Sequence, residues 1–478
     1  MNTILRSFRA ATLMGAAASM LAFAPGAKAQ NQWSNGNHSN DNAWPYARTG
    51  RSPVLAVVGD IACQPGEAEP TGESNHELCI NPKAPYTGTS LWQSQEATAN
   101  QIEAMKPDLV AITGDLQYQV GQYTDFRDSY DLTYGAFKFI TRPSPGNHEF
   151  YDEHSETGVA GYGYFSYFNG FQVDSSGNPL MATIAEPCPL TQPDPAACNN
   201  PGLTTPNPQP IPRSDGQAGH FEQSGGVATT LPAGAPVGVG DGWYSYNLGG
   251  WHLISLNIEC STQPGGCSNT GAWFAAELAW LQNDLASNHS ACTAAYWHQP
   301  TFSATNGITP EGVTAQAFWN LLYQYHADLV LNGHDHLYAR YQPLDPSGNH
   351  DKRNGIREII VGTGGETLDP IVNVTVTAAQ AAASAGSANP LTETNMEDPS
   401  GNVSFNALHL EAYTGFYWGV MALTLNQGSY AWDFESALAG PPTLPNGSTL
   451  PAPNANGGYS DTGAGTCHNS QNSQGNQQ

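Results

Sequence analysis

The chain has 478 residues, with 15 Lys or Arg against 41 Asp or Glu, giving a formal charge of −26. So acidic a chain lacks the basic footprint that nucleic acid or an anionic membrane surface requires. A hydrophobic share of 39% with 11 Trp, 21 Tyr and 16 Phe excludes a disordered polyanion, and 51 Gly and 35 Pro predict a globular chain rich in loops.

Residues 1–29 form an export signal by pattern. Arg6 and Arg9 precede the apolar stretch from Ala10 to Ala24, and Ala27-Lys28-Ala29 supplies a small-residue cleavage site. That stretch is shorter than the roughly 20 residues a spanning helix needs. No later segment is long and apolar enough to span a bilayer, so a secreted or periplasmic product is expected. Residues 30–52 are a polar lead-in. Val54 to Val58 is an apolar, β-branched run expected to be a buried strand. Leu91, Thr98, Ile102 and Met105 recur at helical spacing until Pro107 stops the helix, and Leu109 to Thr113 is a second buried strand. Together they predict a βαβ unit.

Residues 171–242 are crowded with Pro, Gly, Thr and Asn and lack periodicity, as expected of a lid or an elaborated loop. Beyond them, Trp251 to Ile258 and Ala294 to Trp297 are predicted strands. The helix between them carries Phe274, Leu278, Leu281 and Leu285 on one face. A helix starting near Pro310 presents Val313, Ala317, Leu321 and Tyr325 and leads into a strand at Leu329 to Leu331. Ile359 to Val361 is a further strand. Trp418 to Leu425 and Tyr430 to Phe434 are expected to pair as a hairpin around Asn426-Gln427-Gly428. Residues 437–478 are expected to be an irregular tail. The pattern is mixed α/β, with one large domain over 53–436.

All eight cysteines follow the signal, and an even count in an exported chain points to disulfides. Neighbour spacing suggests Cys63–Cys79, Cys188–Cys198 and Cys260–Cys267, leaving Cys292 for Cys467. With no CxxC pair present, a cysteine-bound zinc is not expected.

Five segments place metal-competent side chains just past apolar runs: Gly59-Asp60, Gly114-Asp115-Leu-Gln-Tyr118, Gly146-Asn147-His148-Glu149, His298, and Gly333-His334-Asp-His336. In an α/β sheet, ligands bind in the crevice beyond the carboxyl ends of the strands. Oxygen donors (Asp60, Asp115, Tyr118, Asn147) mix here with imidazoles (His298, His334, His336). Such a set suits Fe, Mn or Zn better than Ca²⁺ or a thiolate-seeking ion. Seven ligands are too many for one tetrahedral ion, whereas two ions sharing a bridging carboxylate fit the set.

These blocks, in this order, resemble the calcineurin-like metallophosphoesterases, and Tyr118 points to their purple-acid-phosphatase-like branch. Ala62 stands where many members carry His, Ala339 where the branch usually has Glu, and Gln299 where relatives often have a second His. The resemblance implies a four-layer sandwich of two packed mixed β-sheets flanked by helices. It also implies a first ion, Fe and specifically Fe³⁺, held by Asp60, Asp115, Tyr118 and His336. A second ion, Fe, Zn or Mn, would be held by the bridging Asp115 with Asn147, His298 and His334. Asn147 and His148 would contact the substrate, His148 as the catalytic group at the leaving oxygen. The implied reaction is hydrolysis of a small-molecule phosphate monoester by a metal-bound hydroxide. The alternatives are a phosphodiesterase acting on cyclic nucleotides or lipid headgroups, and a secreted metal-binding protein with a vestigial site.

Other residues have structural readings. His252, His326 and His409 are expected in packing roles, and Glu149 is expected to receive hydrogen bonds beneath the site. Asp335 should face away from the ions, Arg340 should pair with a carboxylate, and Gly362 to Gly365 should be a turn beside the crevice. His154 and His220 are expected to be exposed loop histidines.

Overall fold

The computed structural model describes residues 51–63, 91–151, 160–172, 174–184, 207–210, 242–303 (save 262, 264 and 269), 310–368, 409–437 and 458–469. The signal, most of the lead-in, Cys79, Cys188, Cys198, His154 and His220 lie outside these residues, and so do the disulfide pairings proposed for Cys63 and for Cys188 with Cys198.

In chain order the strands are β1 (Val54–Val58), β2 (Leu109–Thr113), β3 (Thr141–Ser144), β4 (Met181–Ile184), β5 (Asn207–Pro210), β6 (Tyr244–Leu248), β7 (Trp251–Ser255) and β8 (Cys292–Tyr296). They continue with β9 (Leu329–Asn332), β10 (Tyr338–Tyr341), β11 (Arg357–Val361), β12 (Leu410–Thr414), β13 (Gly419–Asn426), β14 (Ser429–Ser436) and β15 (Ser460–Thr466). One sheet has six strands in the order β15-β14-β13-β1-β2-β3, and a second has seven in the order β12-β10-β11-β9-β8-β7-β6. Both are mixed. β1, β2 and β3 run parallel in the first sheet, as do β7, β8, β9 and β11 in the second.

β1, β2, β9 and β11 are buried on both faces, which is why they are largely apolar runs. β13 and β14 instead alternate buried and partly exposed residues over much of their length, and they meet in a two-residue turn at Gln427-Gly428. The sheets pack against one another through large side chains. Tyr244 Oη donates to the Pro143 carbonyl at 2.7 Å, Trp251 Nε1 donates to the Asn426 carbonyl at 2.9 Å, and Tyr338 stacks on Phe434 with centroids 4.1 Å apart.

Helix Leu91–Met105 packs against β13 of the first sheet. Helices Ala272–Ser287 and Pro310–Gln324 cover the second, where Phe318 touches both Phe274 and Trp297. The result is the expected arrangement of two mixed sheets with helices.

Two expectations need correction. The tail is not irregular throughout, because Ser460–Thr466 adds an antiparallel edge strand to β14. Its sequence, Ser-Asp-Thr-Gly-Ala-Gly-Thr, lacks the apolar alternation that marks a strand. Glycines stand there because aromatic rings of β14 fill the space above them: a Cβ on Gly463 would lie 2.1 Å from the Trp432 ring, and one on Gly465 would lie 2.3 Å from Tyr430. The stretch 171–242 also contains regular structure, a small hairpin of β4 and β5. Asn-Pro-Gln-Pro of β5 carries two prolines, which hides it from a propensity reading. Disulfides Cys260–Cys267 and Cys292–Cys467 form as the spacing suggests, and the second ties the end of β15 to β8.

Candidate metal centre

Three of the parallel strands that feed the crevice end in a sharp turn. Asp60 follows β1 with φ of 59°, Asp115 follows β2 with φ of 46°, and His334 follows β9 with φ of 69°. Left-handed backbone is costly for residues with a side chain, and its clustering at one place marks a functional constraint. The adjoining glycines are needed for close approach. Gly114 has φ of 93°, and a Cβ there would sit 2.3 Å from His298 Nδ1; at Gly146 it would sit 2.2 Å from Asp115 Oδ1.

The seven candidate side chains converge. Tyr118 Oη lies 2.9 Å from Asp60 Oδ1, 2.9 Å from Asp115 Oδ2 and 3.0 Å from His336 Nε2. The same Asp115 Oδ2 is 2.9 Å from His298 Nε2. Asn147 Oδ1 is 3.0 Å from His298 Nε2 and 3.2 Å from His334 Nδ1. Two groups therefore form, Asp60–Asp115–His336 and Asp115–His298–His334, each with its donor atoms within 4.8 Å of one another, and Asp115 belongs to both. A third group, Cys292, Asp328 and Cys467, holds no thiolate because its cysteines are joined in a disulfide.

The imidazoles are aimed by backbone carbonyls. His298 Nδ1 donates to the Thr113 carbonyl at 2.9 Å and His336 Nδ1 to the Thr367 carbonyl at 2.6 Å. When the ring is neutral this leaves the Nε2 lone pair facing the cluster, the outer-shell arrangement that metal-binding histidines use. Glu149 lies beneath as expected, accepting from the backbone N–H groups of Leu116, Gln117 and Gly146 at 2.8, 3.1 and 2.8 Å. Asp335 does turn away from the cluster, and it accepts from the Ser303 hydroxyl at 2.5 Å. Buried His252 contacts Asp284 Oδ2 through Nε2 at 2.6 Å, far along the chain from the crevice motifs.

Electrostatics at the cluster reflect crowded lone pairs. Burial, and then the carboxylates of Asp115 and Asp60, push the Tyr118 phenol well above its ordinary pKa. Burial disfavours the charge on Asp115, but the imidazoles of His298 and His148 hold its carboxyl well below the usual range. Burial likewise opposes protonation of His298, yet Asp115 at 2.9 Å pushes its pKa up to about 10. Burial and the neighbouring His298 bring His334 down to about 4. The donors thus surround a position where positive charge is strongly favoured. Their mixture of carboxylate, phenol, amide oxygen and imidazole fits borderline transition metals.

His148 sits at the rim. Its Nδ1 donates to the Gln119 carbonyl at 2.6 Å, its Nε2 is 3.8 Å from Asp115 Oδ2, and its ring lies 4.1 Å from that of Tyr118. Two neighbours escaped the sequence reading. Tyr151, 42% exposed, accepts from Asn147 Nδ2 at 3.0 Å and packs against His148 at 4.9 Å; its spacing of four from Asn147 on a short helix was the available signal. Buried Glu366 donates its backbone N–H to the Asp60 carbonyl at 3.2 Å, directly after the Gly362 to Gly365 turn.

Residues 53–338 match the calcineurin-like phosphoesterase family. The chain belongs to that family. Within it, the chain is similar to purple acid phosphatases. It is 32% identical over 115 residues to purple acid phosphatase 15 of Arabidopsis thaliana, a match covering 22% of this chain and 20% of the relative. It is 33% identical over 122 residues to an uncharacterised protein of Mycobacterium tuberculosis, covering 24% of this chain and 23% of the relative. The chain therefore spans about a fifth to a quarter of the length of these relatives. A solved purple acid phosphatase from yellow lupin seeds aligns with a TM-score of 0.44 at 13% identity, covering 87% of this chain and 53% of that one.

Proposed function

We propose that this member of the calcineurin-like phosphoesterase family is an exported, two-metal phosphatase that hydrolyses small phosphate monoesters. The observation that carries the reading is Asp115, whose carboxylate belongs to two donor groups, Asp60–Asp115–His336 and Asp115–His298–His334. Asp60, Tyr118 and His336 would hold one ion with Asp115; Asn147, His298 and His334 would hold the other. A pair of such ions clamps phosphate oxygens and makes a bound water acidic near neutral pH. Ligation of Tyr118 as a phenolate would favour a strongly acidic cation such as Fe³⁺ on its side, because a phenol ordinarily ionises only at about pH 10, with Fe, Zn or Mn on the other.

The chain's own groups do the rest. Glu149 holds the Gly146 and Leu116 backbones in place, so that Asn147 and Asp115 keep their separation. Asn147 Nδ2 is held by Tyr151, which leaves Oδ1 toward His298 and His334. His148, steered by Gln119, would orient the phosphate and hand a proton from Nε2 to the leaving-group oxygen. Burial lowers the pKa of His148, so a proton placed on it is readily surrendered.

Export is supported by the signal-like residues 1–29 and by two disulfides. Among the described residues no helix is long and apolar enough to cross a membrane. The catalytic domain we propose spans 53–436, completed by the edge strand β15. Rates on para-nitrophenyl phosphate and on its bis ester test the substrate class. Faster hydrolysis of the monoester is expected, and a clear preference for the diester would transfer the assignment to a phosphodiesterase. Elemental analysis tests the centre, and less than one transition metal per chain would favour a vestigial site.

A further inference from the structure

The opposite ends of the same parallel strands carry a concentration of positive charge on an otherwise acidic molecule. Of the 15 Lys and Arg in the chain, Lys352, Arg353 and Arg357 line one cavity of about 400 Å³, together with Asp328, Tyr430 and His468. Asp328 immediately precedes β9, Arg357 opens β11, Tyr430 lies in β14 and His468 follows β15. His334 and His336 follow the other end of β9, so the length of that four-residue strand, roughly 13 Å, separates the cavity from the metal centre.

Two of the three cationic groups are presented rather than consumed. Lys352 and Arg353 sit on a turn in which Asp351 Oδ1 accepts from the backbone N–H groups of Arg353 and Asn354 at 2.9 and 3.1 Å. Tyr323 Oη braces the same carboxylate at 2.7 Å. Both basic side chains are exposed, and neither has an ion pair among the described residues. Arg357 Nη1 is engaged by Glu411 and the Tyr341 carbonyl, while its buried Nε has no hydrogen-bond partner among the described residues. Asp328, the acidic residue in the lining, is already committed. It accepts from the Thr293 N–H at 2.8 Å and the His468 N–H at 2.7 Å, and it pairs with His468 Nδ1 at 3.0 Å.

We propose that this cavity is a second anion site, taking a small phosphate-bearing dianion away from the metal centre. Guanidinium forks and an ammonium suit phosphate oxygens, and a concave wall concentrates their field. The choice of phosphate over other oxyanions rests on the phosphoesterase reading, since that reaction releases phosphate; the existence of an anion site does not.

Calorimetric titration of inorganic phosphate into the full-length, metal-loaded protein tests this. Two binding events are expected in the wild type, of which the cavity event weakens with added NaCl. Lys352→Ala/Arg353→Ala should weaken that event roughly tenfold or more and keep the other. His298→Ala should do the reverse. Phenylphosphonate, which cannot be hydrolysed, separates the sources: binding at the cavity places phosphoesters among its ligands, and binding by phosphate alone confines it to the inorganic ion. If the double variant titrates like the wild type, or if His298→Ala abolishes all phosphate binding, the cavity site does not exist. If His298→Ala instead keeps both events, the cavity stands and the metal-centre reading fails.

Discussion

Arg340 and Asp461 meet between the two sheets in a two-point ion pair, with Nε donating to Oδ2 at 2.7 Å and Nη2 to Oδ1 at 3.1 Å. Arg340 belongs to β10 of the second sheet and Asp461 to the edge strand β15 of the first. Tyr338 and Trp432 donate to the same Asp461 oxygen at 2.7 and 3.1 Å. The end of the chain is therefore bound into the body by a buried charge. Asp461→Ala would leave the buried Arg340 guanidinium with Glu411 as its remaining carboxylate among the described residues and take the acceptor from Tyr338 and Trp432, and should cost about 3 kcal/mol of stability. Urea unfolding reads this directly, and an unchanged midpoint would mean that β15 contributes nothing to the fold.

Loss of a proposed ligand should be far more damaging than loss of a buried structural histidine. Asp115→Asn and His298→Ala are expected to reduce turnover roughly a thousandfold or more and to lower bound metal. His252→Ala should leave turnover per folded molecule intact while costing about 1–3 kcal/mol, since it strands Asp284. Turnover measured alongside metal content separates the two behaviours.

His148→Ala should leave metal content unchanged and lower kcat by about 10²–10⁴. The loss should shrink for substrates with an acidic leaving group, which needs no proton. A uniform loss across leaving groups would assign His148 to binding alone.

The pair of His468 and Asp328 predicts a pH dependence of stability remote from the metal centre. The hydrogen bond to Asp328 raises the folded-state pKa of His468 above its ordinary 6.5. The folded protein therefore holds that proton more tightly than the unfolded chain. The stabilisation is complete below about pH 6.5 and is lost as pH rises through the folded value. Unfolding midpoints measured across this range should fall with rising pH, and His468→Gln should remove that part of the slope.

Cys292 and Cys467 close a loop across 175 residues of sequence. Replacing both by Ser should cost about 2–5 kcal/mol, chiefly by freeing the unfolded chain. Unfolding the wild type under strong reductant should show at least this loss, because Cys260–Cys267 opens as well. A variant as stable as the wild type would show that β15 is held by its ladder and by Asp461 alone.

Local pattern exposed much of this architecture. Val54–Val58 and Leu109–Thr113 are buried on both faces, so their β-branched runs stood out, and the Pro310 helix start and the Gln427-Gly428 turn carried their own punctuation. β15 stayed hidden because its inward space is filled by Trp432 and Tyr430 rather than by its own side chains. Tyr151 and Glu366 stayed hidden because a lone tyrosine or glutamate has no signature until its neighbours are known.

What the sequence determined by itself was the inventory: which strands are buried, which turns end them, and which donor side chains stand on those turns. Such information is local, since apolar periodicity and glycine chemistry act within a few residues. Only the tertiary structure decided that Asp115 joins Asp60 and His336 in one donor group and His298 and His334 in another, and that basic residues gather at the far ends of the same strands. Those relationships join segments hundreds of positions apart, and they are set by sheet order and register, which no short stretch of chain encodes.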